Sequence, residues 1–103
     1  MKITLTTSDG EAACLQLSGR FDAHEVADFR ARFDALVPPA STLDVDLSDV
    51  NFIDSSALAE LVRGLKHCRQ AGGDLRLVHP SSPVRVILEL TGLDKAFEII
   101  AAS

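Results

Sequence analysis

The chain has 103 residues, 47% of them hydrophobic, and a formal net charge of -5. That is one compact domain with enough apolar material for a core, so a disordered chain is excluded. The acidic balance argues against nucleic acid and against an anionic membrane surface, because both are bound through clustered Lys and Arg. With no Trp and no Tyr, the core is expected from Leu, Val, Ile, Ala and Phe. No apolar run approaches the ~20 residues of a membrane span. Met1–Thr7 alternates apolar and polar residues and lacks the apolar stretch of a signal peptide, so a cytoplasmic protein is expected. Cys14 and Cys68 are the only cysteines. They are too few for a disulfide framework or a metal site, and two free thiols with no metal and no cofactor are expected.

In chain order, Ile3 and Leu5 alternate with Lys2, Thr4 and Thr6, which predicts a strand. Asp9-Gly10 is the expected hairpin turn to a second strand, where Ala13, Leu15 and Leu17 alternate with Cys14, Gln16 and Ser18. A helix is expected from Ala23 to Val37, with Val26, Phe29, Phe33, Leu36 and Val37 as its apolar stripe. Asp22 and Glu25 resemble a capping box, and Pro38-Pro39 stops the helix for want of an N–H. Leu43, Val45 and Leu47 alternate with Asp44 and Asp46 in a third strand, followed by a short loop to Ile53. A second helix is expected from Ser55 to Ala71, with Leu58, Leu61, Val62, Leu65 and Cys68 inward and Gly72-Gly73 closing it. Those glycines follow a helix rather than open one, so they are no phosphate-binding loop. Leu75 and Leu77 around Arg76 mark a short fourth strand. The third helix runs from Pro83 to Thr91, with Ser82 as N-cap, Val84, Ile87 and Leu88 inward, and Gly92-Leu93 as the stop. Phe97 and Ile99 flank Glu98 in a fifth strand. The order β-β-α-β-α-β-α-β is an α/β fold. Alternating strands have one dry and one wet face, so the helices are expected mainly on one side.

The segment Asp54-Ser55-Ser56 lies where a strand hands over to a helix, a usual place for a site in such folds because the helix start presents free amides. At about 100° per residue, Ser55 leans toward Leu58 and Val62, hence toward the core. Ser56 lines up with Glu60, Arg63 and His67 on the polar face. For both serines simple helix capping is the other reading, and for Ser55 it is the preferred one. A nucleophilic Ser56 needs a base within hydrogen-bond reach. His67 shares its face but stands roughly 16 Å further along the axis. There is no Gly-x-Ser-x-Gly elbow, so no catalytic residue is expected and the chain is not expected to be an enzyme.

Asp46-Leu47-Ser48-Asp49-Val50-Asn51-Phe52-Ile53-Asp54-Ser55-Ser56 closely resembles the signature of STAS domains, the fold of bacterial anti-sigma factor antagonists. Gly19-Arg20-Phe21-Asp22 resembles the family's Gly-x-hydrophobic-Asp element, and Leu90-Thr91-Gly92-Leu93 its late Gly-Leu element. The resemblance covers nearly the whole chain as a single domain. It implies a two-layer fold with a mixed sheet of about four to five strands. In the family the serine or threonine directly after the Asp-Ser pair is phosphorylated, which here is Ser56.

The resemblance further implies a partner switch. The unphosphorylated protein binds an anti-sigma factor that is also a serine kinase of the GHKL type, phosphorylation releases it, and a PP2C-type phosphatase restores it. Asp22 and Asp54 inherit a place in the kinase-facing region, with helix capping as the alternative for each. With Ser55, Ser56, Ala57 and Glu60 they make up the expected partner surface. A phosphate adds about -1.5 to -2 charges at neutral pH. Beside Asp54 and Glu60 it is expected to repel a partner while the helix start tolerates it. Ala57 stands where the family usually has glycine, and its methyl is expected beside the modified serine, hindering a kinase backbone. The chain ends soon after the fifth strand, where many relatives carry a further helix. That end of the sheet is expected to be less covered or covered by another chain, a homodimer included. The second functional expectation is an adaptor subunit in another assembly, a stress-sensing complex or a lipid-transport system, without a kinase switch.

Overall fold

A computed structural model describes residues 1–7, 12–38 and 40–101. The elements are β1 (Lys2–Thr7), β2 (Ala12–Phe21), α1 (Val26–Leu36), β3 (Thr42–Ile53), α2 (Ser55–Gln70), β4 (Asp74–Val78), α3 (Ser82–Thr91), a 3-10 turn (Leu93–Lys95) and β5 (Glu98–Ile100). The five strands form one sheet in the order β1-β2-β3-β4-β5. β1 runs antiparallel to β2, and the other neighbours are parallel. The expected turn at Asp9-Gly10 and the second proline of Pro38-Pro39 lie outside the described residues.

Alternation is what sorts the two faces of the sheet. Leu15, Leu17, Leu43, Val45, Leu47, Leu75 and Leu77 are all fully buried. They join Phe29 and Phe33 of α1, Leu58 and Leu61 of α2, and Val84 and Leu88 of α3 in a single apolar cluster. The alternate residues make the wet face, where Arg76 of β4 grips Asp44 of β3 through two bonds of 2.7 and 2.9 Å.

Three boundaries differ from expectation. β3 does not end at Leu47 but continues to Ile53, because β2 is long enough to keep pairing with it through two register shifts. Across the shifts the buried positions fall at Leu47, Val50 and Ile53, a spacing of three that alternation does not reveal. α1 begins at Val26, after a turn, and the Asp22–Glu25 capping box does not form. Asp22 instead accepts a hydrogen bond from the backbone N–H of His24, while Glu25 meets the amino group of Met1 at 3.3 Å. Leu36, expected in the buried stripe, is exposed. At α3 the cap position is Ser81 rather than Ser82, and the Ser81 hydroxyl donates to the carbonyl of Val50 instead of capping. The start of α3 is thereby pinned to β3.

Candidate functional site

α2 leaves β3 with a single residue, Asp54, between them. Its extended backbone (φ -112°, ψ 178°) ends the strand and its side chain opens the helix. One carboxylate oxygen accepts from the N–H of Ala57 at 2.9 Å, the N-cap bond of α2. The other accepts from the N–H of Ala23 at 3.0 Å, in the turn before α1. The Asp54 N–H donates to the carbonyl of Phe21 at the end of β2. One residue thus ties together the end of β2, the turn before α1 and the first turn of α2.

Ser55 and Ser56 are the first two helical residues, and both are exposed. The exposure of Ser56 is as expected. Ser55 does not lean into the core and is not the cap, since Asp54 holds that position and the helix first turns inward at Ala57. The Ala57 methyl is fully buried, so it does not stand exposed beside Ser56 as expected. By the side chain, then, Ala57 is no part of an exposed surface.

Glu60 requires the larger correction. It shares the Ser56 side of the helical wheel, yet its side chain is only 1% exposed, because parallel packing lays α1 against that side. Arg30 of α1 covers it with bonds of 2.6, 3.2 and 3.2 Å, and Arg63 of α2 adds one of 2.9 Å. Burial pushes the Glu60 carboxyl up, but the hydrogen bonds and charges of Arg30 and Arg63 outweigh it and hold the group below its ordinary range. Glu60, expected on the partner surface, is therefore not part of the exposed surface beside Ser56.

Asp22 lies on the neighbouring turn, its carboxylate 3.7 Å from Nε of Arg20 and 3.6 Å from Nδ1 of His24. No histidine is hydrogen-bonded to the Ser56 hydroxyl among the described residues, and the His24 side chain is 92% exposed. The thiols of Cys14 and Cys68 are free and burial pushes both up, away from the reactive thiolate. Among the described residues no three His, Cys, Asp or Glu side chains are grouped to hold a metal ion. No described helix is long and apolar enough to cross a membrane.

Sequence reasoning missed Phe52 and Arg20. Phe52 is 38% exposed at the end of β3, and the Arg20 guanidinium lies 4.0 Å over its ring. The signal was available as Val50-Asn51-Phe52-Ile53: with both Val50 and Ile53 inward, Phe52 has no inward position left.

The family profile described as "Mlab, STAS domain" matches residues 4–101. The chain belongs to the STAS domain family. This STAS domain is 32% identical over 100 residues to a STAS-domain containing protein of Pseudomonas aeruginosa, covering 96% of this chain and 99% of that relative. It is 27% identical over 89 residues to the anti-sigma-B factor antagonist of Bacillus subtilis, covering 86% of this chain and 82% of that one. Its fold is that of the anti-sigma factor antagonist SpoIIAA in its unphosphorylated form, with a TM-score of 0.81 at 22% identity over 99% of this chain and 89% of that one. Against the phosphorylated form of SpoIIAA the TM-score is 0.74 at 21% identity, over 99% of this chain and 92% of that one.

Proposed function

We propose that this STAS domain is an anti-sigma factor antagonist, a binding protein and not an enzyme, whose hold on its partner is switched by phosphorylation of Ser56. The observation that carries this reading is the placement of Ser56. Its hydroxyl is exposed on the first turn of a helix that Asp54 locks to two other segments. The relatives named as antagonists supply the partner class, an anti-sigma factor. In this reading that factor is itself a serine kinase of the GHKL type. The Ser56 oxygen bonds to the γ-phosphorus of ATP, the bond from that phosphorus to the bridging oxygen breaks, ADP leaves, and the hydroxyl proton passes to a base of the kinase. A PP2C-type phosphatase hydrolyses the ester.

The fixed frame favours a switch by charge. A phosphate at the second residue of α2 meets free first-turn amides and the positive end of the helix dipole, so the fold tolerates it. An interface that buries it unpaired does not, and about 2.8 kcal/mol is enough for a hundredfold loss of affinity. The test is a pull-down from the native lysate with wild type, Ser56→Ala and Ser56→Asp as baits, read by mass spectrometry. A serine kinase held by wild type and Ser56→Ala and lost with Ser56→Asp is the expected result. The same partner on all three baits, with no phosphate on Ser56, refutes the switch and leaves a constitutive adaptor.

A further inference from the structure

The Arg30–Glu60 pair lies beside the switch. α1 and α2 run parallel, because their contacts advance together: Ala23 meets Asp54, Arg30 meets Glu60, Asp34 meets Arg63, and Phe33 stacks edge-on against His67. Ser56 is four residues before Glu60 on α2, so their Cβ atoms are about 5–6 Å apart on neighbouring turns. Helical side chains lean toward the N-terminus of their helix. In parallel helices the Arg30 stem therefore leans toward the end of α2 that carries Ser56. The Arg30 side chain is 52% exposed although its guanidinium reaches 2.6 Å from a buried carboxylate oxygen. Only its Nε and Nη2 donate to Glu60, and Nη1 makes no hydrogen bond among the described residues. Of five guanidinium N–H groups at least the two on Nη1 remain free, and they are set in a planar fork that suits phosphate oxygens.

We propose that Arg30 is the internal ligand of a phosphate on Ser56, bridging it to Glu60 and holding it against the domain's own surface. The inference rests on the reading of Ser56 as the modified residue. It gives the buried Glu60 a purpose beyond packing: it holds one edge of the guanidinium and leaves the other for the phosphate. Arg63 sits a further turn away from Ser56, and its Nη2 is buried with the Asp34 carboxylate at 3.8 Å, so it does not replace Arg30. Arg30 is a positioning residue here, because it orients the phosphate and takes no part in its transfer.

The test installs phosphoserine at position 56 of the full chain by genetic encoding, which needs no kinase. Its second ionisation is then followed by phosphorus NMR in wild type, Arg30→Lys and Arg30→Met. A free phosphoserine titrates near about pH 6, and a cation within hydrogen-bond reach lowers that midpoint by about one unit or more. Asp54 and Asp22 on the adjoining segments push the same midpoint up and His24 lies beside Asp22, but these groups are common to all three proteins. The expected order is wild type lowest, Arg30→Lys between, Arg30→Met highest. The Arg30 Nε resonance of the wild type is expected to move with the same midpoint as the phosphorus signal, a measurement that survives if a variant fails to fold. Coincident midpoints in folded variants, or an Arg30 resonance blind to the titration, overturn the proposal. A kinase that never modifies Ser56 overturns the function proposed above and leaves this result standing.

Discussion

Asp54 is the residue whose replacement separates a structural role from a contact role most clearly. Asp54→Ala removes the N-cap bond to Ala57, a half-buried interaction whose loss costs about 1 kcal/mol. It also removes the bond to Ala23, which is exposed. The freed Ala23 N–H rehydrates, so this second loss falls below the usual range for hydrogen bonds to charged groups, at about 1 kcal/mol. The total of about 2 kcal/mol corresponds to a fall in Tm of about 8–16 °C for a domain near this size. Asp54→Asn keeps one carboxamide oxygen and asparagine caps as well as aspartate, so it should lose only the Ala23 bond, about 1 kcal/mol. Urea denaturation followed by circular dichroism gives the three midpoints, with m expected unchanged. Wild type, Asn and Ala should therefore unfold in descending order of stability. If the Ala variant unfolds with wild type, Asp54 is not the bracket described here and its place in the signature must be explained by contact with a partner.

Other substitutions probe the correction at Glu60, the burial of Ala57 and the turn after α2. Glu60 has a depressed folded pKa, so its pairing stabilises the protein fully above its unfolded value of about 4.3 and loses that effect as pH falls through the lower folded value. The stability difference between wild type and Glu60→Gln should accordingly be constant near neutrality and shrink in acid; a difference that is flat across the acid limb argues against it. Ala57→Gly removes a fully buried methyl and a better helix former, and should cost about 1–2 kcal/mol in a thermal melt without changing partner retention. Gly72 and Gly73 are adjacent but unequal. A Cβ on Gly72 meets nothing and suffers only its left-handed backbone (φ +90°), about 1–2 kcal/mol, whereas a Cβ on Gly73 overlaps the carbonyl oxygen of Ser41. Gly73→Ala should thus be the more damaging of the two by denaturant midpoint, and equal losses would refute the contact.

Alternation and helical spacing carried most of the fold. Leu15 and Leu17, Leu43 with Val45 and Leu47, and Leu75 with Leu77 each lie on the dry face because a pleated strand leaves them no other place. What could not be read was the consequence of pairing. Ser48–Ile53 looks like a loop, since its polar residues break the alternation, and it is a strand only because β2 runs beside it through two register shifts. The candidate site was legible in the same uneven way. Ser56 stood out from a single helical wheel. Glu60 was misplaced by that wheel, because a wheel treats one helix in isolation and α1 covers the face it calls polar. Ser55 was misplaced because a wheel started at the first helical residue leaves out Asp54, which holds the cap.

β3 is the middle strand of five, and α2 springs from its end while α3 is pinned to its flank. A serine mounted there moves only if the centre of the molecule moves. On the proposed reading, the frame around that hydroxyl is already in place before any modification, held by the Asp54 bonds to Ala23 and Ala57. In the switch proposed above, the tempo of the response is therefore set from outside, by how fast kinase and phosphatase arrive and leave.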